Sequence, residues 1–127
     1  DYRLQQADES IKDAEILLEN GASLRGVVNR IYYGMFYSVL ALLTTKKIGS
    51  SKHSGVISMF HKEYVKTKIF SVEMGKDLWD AFNMRLSGDY KELVVLEKDK
   101  VEALLDRAKE FIKNIKEYVK KLEEEVG

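Results

Sequence analysis

Residues 25–43 constrain this chain more than any other stretch. They hold no proline, and Val28, Ile31, Met35, Val39 and Leu42 recur at three- and four-residue steps, the spacing of one helix face. A second stripe, Gly26, Arg30, Gly34, Ser38 and Ala41, is built mostly of small residues. Glycine inside a helix costs about 0.5–1 kcal/mol relative to alanine. Two on one stripe therefore point to close backbone packing at the expense of helix propensity. A central helix is expected, surrounded on most sides, with Arg30 and several tyrosines in or beside the core.

The remaining segments read as cover for it. Leu4, Ala7, Ile11, Ala14, Leu17 and Leu18 share one side of residues 1–20, with acids and lysines opposite. That pattern is an amphipathic surface helix, closed by Asn20-Gly21. Ser23 stands where it can cap the central helix. Residues 48–53 read as a loop, and a short helix follows over 54–64 with Val56, Ile57 and Phe60 inward. A fourth helix begins at Ser71, turns Leu78, Trp79, Phe82 and Leu86 inward, and is broken by Ser87-Gly88. Residues 89–97 read as irregular, with Leu93-Val94-Val95-Leu96 covering one end. From Lys98 onward, Val101, Leu104, Ala108, Phe111, Ile115, Tyr118 and Leu122 form a bundle seam. The expected fold is all-α, an up-and-down bundle of four main helices plus a short one, in a single domain over 1–127.

Charge excludes some partners. Lys and Arg together number 21, as do Asp and Glu, so the chain has no global attraction to nucleic acid or anionic membranes. Any RNA or nucleotide would have to meet a local patch. Cysteine is absent, which removes disulfides, thiolate metal sites and a thiolate nucleophile. No apolar run reaches about 18 residues, and the first residues hold no signal-peptide core. A cytoplasmic protein without membrane contact is expected. His53 and His61 do not make a metal site without carboxylate help, and no phosphate-loop or dinucleotide motif is present. Neither metal nor cofactor is expected.

Several residues could carry chemistry. Leu78, Phe82, Arg85 and Asp89 share a stripe, which sets a guanidinium at the edge of an apolar face. A buried charge needs a partner, so Arg85 either pairs with a carboxylate such as Asp89 or lines a pocket for an anion. Arg30 poses the same choice, deeper in the bundle, with Asp80 or Asp89 as candidate partners. Together the two arginines could clamp a phosphate. Tyr32, Tyr33, Phe36 and Tyr37 could pack the core or stack on bases, and Asn29 could orient Arg25 or Tyr33. A general base near neutral pH would be a histidine first. His53 sits in the loop before the short helix, and His61 is expected on the solvent face.

Three pieces in order resemble the small stand-alone prokaryotic HEPN-domain proteins. They are Asn29-Arg30-Ile31-Tyr32-Tyr33-Gly34-Met35-Phe36, then Lys52-His53-Ser54-Gly55-Val56-Ile57 with Phe60, then Arg85-Leu86-Ser87-Gly88-Asp89-Tyr90. The resemblance implies a helical bundle that pairs as a homodimer beside a minimal nucleotidyltransferase, often as toxin and antitoxin. It also implies a metal-independent ribonuclease motif, an arginine followed four to six residues on by a histidine. Arg85 matches the arginine, but Tyr90 stands where the histidine would be. Tyrosine, with a pKa near 10, is a poor base at neutral pH, so enzymatic activity stays open. His53 could substitute if the fold brings it to Arg85, and Tyr90 could instead be a site of adenylylation. The implied RNA- or phosphate-binding set is Arg30, Arg85, Asn29, Tyr33 and Asp89, with Arg85, Tyr90 and His53 as catalytic candidates. Three functions follow: an RNA- or nucleotide-binding toxin-like or accessory subunit, an active endoribonuclease, or a dimerising adaptor.

Overall fold

The computed structural model describes residues 1–90 and 95–126, and their side chains except at 88–90 and 126. All regular structure among them is helical: α1 (Tyr2–Glu19), α2 (Leu24–Thr45), α3 (His53–Phe60), α4 (Val72–Tyr90) and α5 (Lys98–Val126). A π-helical turn, His61–Val65, continues directly from α3.

The α1 helix is closed at both ends by its own residues. The Asp1 carboxylate accepts from the Arg3 amide at 2.7 Å, satisfying one of the first-turn donors. At the other end Gly21 takes a φ of +68°. The Ala22 amide returns to the Leu17 carbonyl at 2.9 Å and the Gly21 amide to Leu18 at 3.3 Å. Those two bonds form a Schellman motif and turn the chain back into α2. Ser23 occupies the cap position of α2, but its hydroxyl makes no capping bond.

As its periodicity requires, α2 is the axis, packing against α1, α3, α4 and α5. Val28, Ile31, Met35, Val39 and Leu42 are buried. The small-residue stripe is closely packed at one end only. A Cβ on Gly34 would lie 2.9 Å from Ile11 side-chain carbons and 3.3 Å from the Ala7 carbonyl, whereas one on Gly26 would meet nothing within 4 Å. The close approach is thus between α1 and the middle of α2. Arg30 is not in the core but exposed. At 100° per residue it projects between Gly34, which α1 covers, and Tyr33, which faces α4.

The π turn is anchored from both sides. Lys66 donates to the His61 carbonyl at 2.8 Å, the longer loop that defines such a turn. The buried Tyr64 hydroxyl donates to the Leu42 carbonyl at 3.2 Å. His61 departs from the solvent-face expectation. Its ring nitrogens lie 2.9 Å from the Ile57 carbonyl and 3.1 Å from the Gly75 carbonyl, so it ties α3 to α4.

Ser71 Oγ accepts from the Met74 amide at 3.1 Å and starts α4. Two expectations for α4 are corrected. Leu78 is buried, but Trp79 is 49% exposed, because it lies about 100° further round the helix. Ser87-Gly88 does not break the helix, which continues to Tyr90. The α5 seam is buried at Val101, Leu104, Ala108, Phe111 and Ile115. Leu93 and Val94 lie outside the described residues, and Val95 is 84% exposed.

Candidate functional site

Tyr32, Tyr33 and Phe36 project from successive turns of α2 toward α3 and α4. The i, i+4 spacing of Tyr32 and Phe36 stacks them on one side of the helix, with ring centroids 5.7 Å apart. Tyr33 lies beside them, edge-on to Tyr32 at 5.4 Å. The group forms a shelf of rings at the opening of the helical core.

His53 and Arg85 both lie on that shelf. His53 is the first residue of α3, not a loop residue. Its ring stacks on Phe36 at 4.2 Å and 19°, and its Nδ1 is 2.9 Å from the Tyr32 hydroxyl. Arg85 comes from the penultimate turn of α4. Its guanidinium carbon is 5.2 Å from the centroids of both Tyr32 and Tyr33, within the range of cation–π attraction. One of its terminal nitrogens donates to the Tyr33 hydroxyl at 3.4 Å, and its Nε is buried. The fold thus joins a histidine and an arginine that lie 32 positions apart in sequence.

The electrostatics follow from this arrangement. Burial, and then the Arg85 charge, hold the His53 pKa below its ordinary value, so the ring is neutral at neutral pH. Burial pushes the Tyr32 hydroxyl well above the usual tyrosine range, opposed in part by Arg85. Tyr32 therefore stays protonated and neutral. Its hydroxyl can donate to Nδ1, which leaves the proton on Nε2, or accept from Nδ1–H, which leaves a lone pair there. The first arrangement offers a donor to an anion, and the second offers a base. Nε2 makes no hydrogen bond among the described residues.

The other expected residues divide. Tyr33 belongs to the shelf. Asn29 is half-buried and makes no hydrogen bond among the described residues. Arg30 makes no hydrogen bond or ion pair among them either, and it is exposed, not deep in the bundle as expected. Asp80 does not serve an arginine of this site. With Asp77 it accepts from Arg107 on α5, at 3.2 and 3.0 Å. Asp89 and Tyr90 lie on the last turn of α4, and their side chains fall outside the described residues. Tyr32 and Phe36, expected either to pack the core or to stack on bases, are buried and hold His53 and Arg85. No cluster able to hold a metal ion occurs among the described residues.

A family model described as the HEPN domain matches residues 1–118. This chain is a HEPN-domain protein. It is 43% identical to a UPF0332 protein of Thermotoga maritima over 88% of this chain and 84% of that one. It is also similar to two proteins of Methanocaldococcus jannaschii, each named "Putative toxin". One is 39% identical over 86% of this chain and 74% of the relative. The other is 33% identical over 87% and 86%. Among the described residues of this HEPN protein, no helix is long and apolar enough to cross a membrane.

Proposed function

We propose that this HEPN protein is a toxin-like subunit that binds RNA or nucleotide phosphate at the Arg85–His53 shelf. It acts as a homodimer beside a minimal nucleotidyltransferase that serves as its antitoxin. One observation carries the reading: Arg85 and His53 both contact the Tyr32 ring, which brings a guanidinium and a neutral imidazole together. Arginine offers a planar fork to phosphate oxygens. In the tautomer with Tyr32 donating, His53 adds an N–H for a further oxygen. The partly exposed Tyr33 ring suits a base or ribose beside that phosphate.

A second reading is favoured by the same His53. With Tyr32 accepting, Nε2 carries a lone pair, and a neutral imidazole beside an arginine can take a proton from an RNA 2′-hydroxyl. This is metal-independent endoribonuclease chemistry, with His53 in the role for which Tyr90 is poorly suited. The test is incubation with a mixed RNA pool, with and without EDTA. Binding without cleavage, weakened about ten-fold or more by Arg85→Ala, is the expected outcome for the first reading. Cleavage that resists EDTA and vanishes in both Arg85→Ala and His53→Ala would establish the second. A stable dimer that neither binds nor cuts RNA would sink both and leave an adaptor.

A further inference from the structure

The aromatic shelf does not end at Tyr32. Phe82 on α4 lies 5.8 Å from Tyr32, and Trp79 lies 5.9 Å from Phe82, so only one intervening ring separates the two. Trp79 is the single tryptophan of the chain, and it is half-exposed while its neighbour Leu78 is fully buried. It forms one wall of an open cleft of about 560 Å3, floored by Ile57 and Val65 and edged by Lys62 and Lys66.

The charge of this cleft is of one sign. Neither Lys62 nor Lys66 makes an ion pair among the described residues. The acid between them, Glu63, is held by Lys46 at 3.4 Å. On the α4 side, Asp77 and Asp80 are engaged by Arg107. The groove between α1 and α5 differs in carrying both signs: Lys109 pairs with Glu15 at 3.1 Å and Lys116 with Asp8 at 2.7 Å. Two cations without an ion pair among the described residues thus stand beside the exposed indole. The π turn and its end set those cations four positions apart, about one helical turn.

We infer that this cleft is a second nucleic-acid contact, in which single-stranded RNA flanking the Arg85 phosphate stacks a base on Trp79 and lays its backbone against Lys62 and Lys66. Exposed aromatic faces beside unpaired cations bind single strands without sequence preference. The cleft is open, not a deep socket for one side chain, and Trp79 lies on the same helix as Arg85, about two turns before it. The inference rests on the RNA reading of that site and extends it by at least one nucleotide.

The sole tryptophan makes the test direct. The full chain is titrated with a short 2′-O-methyl oligoadenylate, which lacks the free 2′-hydroxyl needed for cleavage. Trp79 fluorescence reports the cleft, and the His53 ring signals in NMR spectra report the Arg85 site. Saturable quenching that weakens with salt is expected. Lys62→Glu with Lys66→Glu should weaken it about ten-fold, and Arg85→Ala should weaken it while leaving it saturable. Trp79→Phe, followed with a labelled oligomer, should lose about five-fold or more in affinity, the order that one stacked base supplies. Movement of His53 signals without quenching would overturn this inference and leave the Arg85 reading standing. Quenching unchanged by the double lysine substitution would overturn it too, and silence in both probes would remove both readings. A lysine variant that changes oligomeric state, with no quenching in the parent, would make the cleft a protein interface instead.

Discussion

Two faces of α2 do different work. On the face toward α1, Gly34 lets Ile11 and the Ala7 carbonyl come within contact. On the face toward α3 and α4, Tyr32, Tyr33 and Phe36 hold a histidine and a guanidinium at the edge of the core. The first face is close packing, where any added volume must displace neighbours. The second is a set of ring planes that seat a cation without burying it against carboxylates alone. One helix separates a closely packed apolar face from a face that carries the histidine and the guanidinium.

The largest effect that tests this contrast is Gly34→Leu. Its side chain would enter the α1 contact and should destabilise the protein by about 1–3 kcal/mol or more, measured as a fall in melting temperature. A variant that melts like the parent would show that the α1 face is not closely packed. Tyr32→Phe should act on the other face. It removes the hydroxyl that meets His53 Nδ1, for about 0.5–1.5 kcal/mol of stability, a shift of a few degrees. RNA binding or cleavage should change out of proportion to that loss, because the tautomer of His53 is no longer set. Equal changes in both readouts would make Tyr32 a packing residue only.

The smallest effect is in pH. The folded-state pKa of His53 lies below its ordinary value of about 6.5. As pH falls past that value the unfolded chain takes up the proton first, so acidification lowers stability until the folded-state pKa is reached. The contribution is fully present above about pH 6.5. His53→Gln should flatten the decline in melting temperature between neutral and mildly acidic pH, while Gly34→Leu should leave its slope alone. An unchanged slope in His53→Gln would mean that burial and Arg85 do not act on this ring.

The helices were legible wherever one face repeated. The α2 period, the Asn20-Gly21 stop and the α5 seam all rest on contacts within a few residues, which local spacing encodes. Gly26 and Gly34 looked alike in sequence because a stripe specifies only a direction. Which of the two meets a neighbour depends on where α1 crosses, and α1 crosses at Gly34. Ser87-Gly88 looked like a stop for a similar reason, since local propensity weighs little against α4 continuing. The site was half legible. Arg85 stood out as a cation on an apolar stripe, but its proximity to His53 depends on how α3 docks beside α4. Arg30 misled because a helical wheel does not show which sector its neighbours leave open. Trp79 erred by a single position, next to the buried Leu78.

The π turn at His61–Val65 holds one more residue than a regular turn would. Excising one residue there would restore ordinary helical winding and carry Lys66 and the whole lead into α4 around the axis by about 100°. Lys62 and Lys66 would then no longer both edge the cleft that Trp79 walls. That makes this short irregularity the element that sets the register between α3 and the segment entering α4.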